Sequence, residues 1–389
     1  MGVYSEYLDR NLSFPDLTKE RKTQLKRISE LRGGRDIIVF ASDERKAQVA
    51  PVFISYEDLL PFVDQLSNLN GEAIDVILET TGGFGETAED IVRLLREKYE
   101  DVAFIVPGMA KSAGTIMVMS GDDILMEPAS SLGPIDAQLS WQGKQFSADA
   151  FLKGLDKIKD EAEEKKALNR AYIPILQNIS PGEIQHAENA RDFAKTLVGE
   201  WLAKYKFKDW TIHSSTGKPV TKEEREKRAS EIADELSKID WLTHGRSIKI
   251  SDLEEMRLKI TDYSKNPDLF DAIRRYYTLL RMSFETNIYK IFETIDSQIY
   301  RFYLPPGTPP ITMGKKAIAD FLCQKCKATA KIQLNFEKNV ELEEGCILYP
   351  VDDIFKCPKC NEEYNLSEMR RQLELQVKKE VIKNDTKKK

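Results

Sequence analysis

Ile74-Asp75-Val76-Ile77-Leu78-Glu79-Thr80-Thr81-Gly82-Gly83-Phe84-Gly85, followed by the stretch Glu86 to Tyr99, decides the fold. The β-branched run reads as a buried strand and the adjacent glycines as a loop at its end. Ala88, Ile91, Leu94 and Leu95, at three- and four-residue spacing, then read as an amphipathic helix. Working outward, Ile37 to Phe40, Val102 to Val106 and Ile124 to Met126 are further apolar runs of strand length, and Ser55 to Leu69 carries a helical pattern. Strands alternating with helical crossovers imply a parallel α/β sheet.

At 389 residues the chain exceeds the usual size of one domain, and 41% hydrophobic residues supply a sizeable core, which excludes global disorder. With 58 basic and 64 acidic side chains the formal charge is −6, so binding nucleic acid mainly by electrostatics is disfavoured. No apolar run reaches membrane-spanning length, and the first residues show neither a signal peptide nor a myristoylation pattern, because Glu6 stands where Ser or Thr is required. The expectation is a soluble, cytoplasmic protein with no membrane partner.

Along the chain the composition divides as follows: residues 1–35, an N-terminal helical segment; 36–149, the α/β core; 150–240, a Lys-, Glu- and Ala-rich helical insert; 241–302, the end of the core with a helical extension; 303–318, a Pro-rich linker; 319–370, a small cysteine-bearing module; and 371–389, a basic tail. Breaks in the insert are expected at Pro174 and Ser180-Pro181-Gly182. Thr221-Lys222-Glu223-Glu224 predicts a capping box, and a helical pair is expected over 251–301.

Cys323-Gln324-Lys325-Cys326 and Cys357-Pro358-Lys359-Cys360 are two CxxC knuckles separated by 30 residues. Two such pairs can place four thiolates tetrahedrally around one Zn²⁺, with no open position left for catalysis, so a zinc ribbon with structural Zn²⁺ is predicted. A module of this size has too little core to fold without such a staple. Cys346 stands apart and is read as a buried apolar thiol. The region 321–389 carries 14 basic and 12 acidic residues, so protein contact suits it better than nucleic acid.

The glycine stretch lacks the spacing of a phosphate-binding loop. Paired glycines at a strand end suit backbone amides that must approach a substrate oxygen closely, as an oxyanion hole does. After the next strand comes Pro107-Gly108-Met109-Ala110-Lys111-Ser112-Ala113-Gly114-Thr115, in which small neighbours leave one serine hydroxyl accessible. Taken alone, Ser112 reads as a helix N-cap; paired with the glycines it reads as a nucleophile.

With Thr80-Thr81-Gly82-Gly83, Ala110 to Thr115 and Met126 to Gln138 in view, the chain resembles the Clp peptidase and signal peptide peptidase superfamily of serine proteases. Within that superfamily it is most similar to the serine dehydrogenase proteinase family. The resemblance covers about residues 15–140 well and 240–263 weakly, and implies a Clp/crotonase-like fold of stacked βαβ units. It implies Ser112 as nucleophile and the amides near Gly83 and Phe84, with that of Ala113, as the oxyanion hole. Where the Clp peptidases have their triad histidine, this chain has Gly133-Pro134-Ile135-Asp136; His244 falls where they bring their acid. The exchange implies a triad of Ser112, His244 and Asp136. The rival base is a lysine, as in the signal peptide peptidases: Lys144 and Lys153 follow the catalytic layer at plausible distances, whereas Lys111, adjacent to Ser112, is expected to point away from it. His186 and His213 read as structural residues. Relatives assemble into rings, so a homo-oligomer acting on protein or peptide substrates is implied.

The leading reading is a soluble serine peptidase working through an acyl-enzyme on Ser112. Its alternatives are a non-catalytic scaffold whose ribbon binds a protein partner, and a crotonase-type acyl-thioester enzyme.

Overall fold

A computed structural model describes residues 2–141, 143–213, 216–238, 241, 243–303, 315–377 and 380–382. Two helices open the chain, α1 (Val3–Arg10) and α2 (Phe14–Leu31), followed by β1 (Asp36–Ser42), α3 (Leu59–Ser67), β2 (Ala73–Glu79), α4 (Gly85–Lys98) and β3 (Asp101–Val106). Next come β4 (Met109–Ala110), α5 (Ala113–Val118), β5 (Asp123–Met126), β6 (Ser131–Leu132) and the hairpin β7 (Gln138–Trp141) and β8 (Lys144–Ser147). The insert forms α6 (Ala148–Lys165), α7 (Ile173–Leu176), α8 (Pro181–Trp201) and α9 (Lys222–Ser237). The remainder is α10 (Ile250–Glu255), β9 (Thr261–Asp262), α11 (Pro267–Ser283), β10 (Ile288–Glu293), β11 (Gln298–Phe302), β12 (Lys316–Leu322), β13 (Thr329–Asn335), β14 (Cys346–Leu348), β15 (Ile354–Lys356), β16 (Glu363–Asn365) and α12 (Ser367–Val377).

The chain divides into two compact units. The larger comprises Ser29–Phe270 and Lys290–Ile299. Its sheet runs β11-β10-β1-β2-β3-β5-β9, with β1, β2, β3, β5 and β9 parallel and β10 antiparallel to β1. Val39 faces Ile77, Ile77 faces Ile105 and Phe104 faces Ile124 across successive pairs. Every residue of β1, β2 and β3 after the first is buried, as expected of parallel strands covered on both faces. Ala88, Ile91, Val92 and Leu95 form the buried face of α4, the periodicity already legible in the sequence. Asp75 is fully buried within β2 and is neutralised by Arg32 at 2.8 Å and Arg35 at 2.6 Å.

The insert breaks where its proline and glycine signals lie. Pro174 falls in the first turn of α7, and Ser180 caps α8 in a capping box with Glu183. Thr221 caps α9 with Glu224 in the same way. The helical pair expected over 251–301 is corrected: α10 and α11 account for the first part, but 288–302 forms the strands β10 and β11. The run Ile288-Tyr289-Lys290-Ile291-Phe292-Glu293 satisfies both periods over so short a window, and pairing with β1 decides it.

The smaller unit comprises Met1–Ile28, Asp271–Tyr289 and Tyr300–Lys389. In it β12 pairs antiparallel with β13, β13 parallel with β14, and β15 antiparallel with β16. Ile332, Leu334, Phe336, Tyr349, Phe355 and Leu366 fill a small core. Beside it Arg370 is paired with Asp353 at 3.0 Å and Glu374 at 3.1 Å, all three side chains 1% exposed. Residues 371–377, the start of the expected basic tail, continue α12. Most of the expected linker, 304–314, and the end of the tail lie outside the described residues. Cys346 is half-buried on β14 rather than fully buried.

Candidate active site

In an open parallel sheet the loops at the carboxyl ends of the strands form the natural crevice. Three of them meet here: Thr80 to Gly85 after β2, Pro107 to Ser112 after β3, and Ser130 to Asp136 after β5. A small second layer ties them together. Thr80 bridges Ala110, β4 pairs with β6, and Leu132 bridges Ile248.

Ser112 sits at the N-cap of α5 with φ 50° and ψ −118°, and its hydroxyl makes no capping hydrogen bond. The capping account of this serine therefore fails. A non-glycine residue at such angles stores of order 1–3 kcal/mol, and strain of this kind collects at functional sites. The turn is held from both sides. Thr115 Oγ1 lies 2.8 Å from the Ala110 carbonyl oxygen and accepts the Gly133 amide at 3.0 Å. A Cβ on Gly82, whose φ is +97°, would stand 2.7 Å from Ser112 Cβ, so only glycine lets this loop lie against the serine.

Among the described residues no protein group accepts the amides of Gly83 or Ala113, which leaves them as donors beside Ser112. The amide of Phe84, in contrast, donates to the Ile54 carbonyl at 3.0 Å. Phe84 is thereby removed from the expected oxyanion hole; its backbone edge is occupied by the segment around Ile54, a pairing between distant residues.

Asp136 and His244 are brought together although 108 residues separate them: His244 Nδ1 lies 2.7 Å from Asp136 Oδ1. Gln138 Nε2 donates to Asp136 Oδ2 at 2.7 Å and lies 3.2 Å from the same ring nitrogen. Both side chains are partly shielded, 12% exposed for Asp136 and 32% for His244. With its Nδ1 proton on the carboxylate, the imidazole keeps Nε2 as an acceptor.

A cleft of about 530 Å³ opens at Ser112 and is lined by Gly83, Ile116, Asp136, Leu139, His186 and Phe193, among others. His244 does not line it, and Ser112 and His244 share no hydrogen bond, a contact that commonly forms only once substrate is bound. His186, read from the sequence as structural, stands on the cleft wall. Its signal was present in the helical spacing of His186, Asn189 and Phe193, which puts all three on one face of α8. His213 lines no part of this cleft; it lies 3.3 Å from Glu224 and edge-on to Trp210. Lys144 and Lys153 are exposed and line no part of the cleft. Lys111 Nζ is turned to the Leu132 carbonyl at 2.8 Å and the Arg246 carbonyl at 3.1 Å. Burial, with Lys249 nearby, brings its ammonium down to about 8.

The sequence pattern of the ClpP-like SDH-type serine proteinases matches residues 7–218, more than half of the chain. The chain belongs to this family. The match takes in much of the helical insert, which was expected to lie outside the resemblance, and it ends before the 240–263 segment that holds His244. The chain is 29% identical over 202 residues to an uncharacterized protein of Methanocaldococcus jannaschii, covering 47% of this chain and 68% of that one. With a second uncharacterized protein of the same organism it shares 28% identity over 159 residues, covering 38% of this chain and 53% of that one. Two mutant forms of the 1510-N membrane-bound stomatin-specific protease are structurally similar. One is 14% identical with a TM-score of 0.32, over 57% of this chain and 79% of that one. The other, in complex with a substrate peptide, is 18% identical with a TM-score of 0.30, over 52% and 66%.

In the smaller unit the four knuckle cysteines gather with all sulfurs within 4.8 Å of one another. Cys323 Sγ is 3.6 Å from Cys360 Sγ, and Cys326 Sγ is 3.6 Å from Cys357 Sγ. A tetrahedral ion with metal–sulfur bonds of about 2.3 Å requires sulfurs about 3.8 Å apart, so the cluster fits a metal ion. The knuckles are alike in backbone as well. Lys327 and Asn361, each just after a second cysteine, adopt φ of 59° and 57° and donate to the carbonyls of Cys323 and Cys357, both at 2.9 Å. The Tyr364 hydroxyl beside Cys323 holds that thiol down at about 6, whereas at Cys360 the Glu362 backbone hydrogen bond is outweighed by burial and the neighbouring thiols, which push it up to about 12, so the four thiols hold their protons unequally. No described helix is long and apolar enough to cross a membrane.

Proposed function

We propose that this chain is a serine peptidase in which Ser112 attacks a peptide carbonyl and is acylated. His244 Nε2 takes the serine proton and passes it to the leaving amine. Asp136 fixes the ring and stabilises the imidazolium. The amides of Gly83 and Ala113 hold the oxyanion, and water then hydrolyses the acyl-enzyme. The observations that carry this reading are the 2.7 Å Asp136–His244 pair, whose carboxylate lines the Ser112 cleft, and a serine held at positive φ without a capping bond. A lysine base is not supported, since Lys144 and Lys153 face solvent and Lys111 Nζ is spent on carbonyls.

The same reading takes the four thiolates to hold one structural Zn²⁺. Its role is to close the ribbon by joining two knuckles that the sequence keeps 30 residues apart. It also takes the protein to act as a homo-oligomer, which analytical ultracentrifugation measures.

Labelling with a fluorophosphonate tests the chemistry. Wild type is expected to label; Ser112→Ala and His244→Ala are expected not to. A wild type inert to the probe and to peptide libraries would leave the scaffold reading in its place. Labelling that survives His244→Ala but not His186→Ala would move the base to α8.

A further inference from the structure

We propose that Lys111 is a positioning residue of this site: its Nζ clasps the loop that carries His244 to the segment between β6 and β7 that carries Asp136, and both to the nucleophile turn. The inference rests on the roles proposed above for Ser112, Asp136 and His244.

The clasp is complete in its hydrogen bonding. Lys111 Nζ donates to the Leu132 carbonyl at 2.8 Å, the Arg246 carbonyl at 3.1 Å and Ser247 Oγ at 3.1 Å, the three donors an ammonium has. Leu132 lies four residues before Asp136, and Arg246 lies two residues after His244. Leu132 and Ile248 exchange backbone hydrogen bonds of 2.9 and 3.0 Å, which continue the same junction. The lysine stem crosses Gly133, where a Cβ would stand 2.8 Å from Lys111 Cδ, so a glycine is what leaves the stem its path.

The backbone of the same residue is equally engaged. Its amide donates to the Thr80 carbonyl at 3.0 Å, and its carbonyl accepts the Gly114 amide at 2.8 Å. One residue thus fixes the glycine-loop layer and the start of α5 through its main chain, and the two remaining segments of the triad through its side chain. Movement of the His244 loop away from Ser112 must break these bonds together. Misplacement of a catalytic group by about 1 Å can cost about a hundredfold in rate.

Burial and the neighbouring Lys249 lower the Lys111 pKa to about 8 against the opposing pull of Glu44; these are the charged groups that face it. Loss of the proton removes one of the three donors, so an alkaline limb near pH 8 belongs to the clasp.

The test compares wild type with Lys111→Met and Lys111→Arg in the full chain. For Lys111→Met, kcat for peptide hydrolysis should fall roughly 10- to 100-fold with KM within about twofold. The alkaline limb should vanish, and amides of residues 243–248 should exchange faster with deuterium while the rest of the chain does not change. Lys111→Arg should restore slow exchange and move the limb to higher pH. Lys111→Gln, which keeps a donor on a shorter stem, replaces the methionine variant if that does not fold. Unchanged exchange over 243–248 together with wild-type kcat overturns the clasp. The exchange readout needs no activity, so a wild type inert to substrate counts against the peptidase reading alone.

Discussion

Ser112→Gly should make the protein more stable while abolishing its chemistry. The serine holds φ 50° and ψ −118°, a conformation that costs a residue with a Cβ of order 1–3 kcal/mol and costs glycine little. Against that gain stands the greater freedom of glycine in the unfolded chain, about 0.5–1 kcal/mol. No hydrogen bond is sacrificed, because the Ser112 hydroxyl caps nothing. The net expectation is a stabilisation of up to about 2.5 kcal/mol. Ser112→Ala is the control, since it deletes the same hydroxyl but keeps the Cβ and therefore the strain. At roughly 2–4 °C per kcal/mol for a unit of this size, the glycine variant should melt a few degrees above the alanine variant, with both unreactive to fluorophosphonate. Denaturant midpoints under matched conditions give the same comparison. A glycine variant that melts at or below the alanine variant would refute the argument that strain at this turn is held in place by the surrounding loops.

Asp136→Asn is expected to lower the labelling rate by up to about 10⁴-fold, through loss of the charged bond to His244 Nδ1 and a reversed tautomer; retention within about threefold of wild type would place Asp136 outside the triad. Gly83→Ala should lower the melting temperature and abolish labelling, because the new Cβ overlaps the Ile54 backbone and drives the loop from Ser112; an unshifted melt with full labelling would contradict that packing. Cys357→Ser, or chelation, should remove one equivalent of zinc and the ribbon's ordered signals, read by metal analysis and NMR; purified wild type without stoichiometric zinc would end the metal reading. The Arg35 guanidinium holds the Asp101 carboxyl below its ordinary value of 3.8, so this pair stabilises at neutral pH and the contribution is lost as pH falls through the depressed value. Asp101→Asn should therefore be less stable than wild type at pH 7, and denaturant titrations should show the gap closing in strong acid.

The strand and helix pattern of the core was readable because each element states its own period locally: Ile74 to Leu78 as a buried run, Ala88 to Leu95 as a helical face. The hairpin at 288–302 was not, since six residues fit either period and only the partner strand β1 resolves them. His186 reads as structural from the sequence for a related reason. A histidine on a helix face is unremarkable until the fold shows which cleft that face borders.

By itself the sequence determined the parallel α/β core, the knuckle spacing and the glycine–serine pair, because spacing and residue type along a few adjacent positions suffice for each. The tertiary structure decided what depends on contacts between distant segments. It joined Asp136 to His244 across 108 residues, committed the Phe84 amide to Ile54, and turned the Lys111 side chain onto two separate stretches, at Leu132 and at Arg246–Ser247. A hydrogen bond is fixed by the positions of both partners, and for residues far apart in the chain those positions exist only once the core has closed.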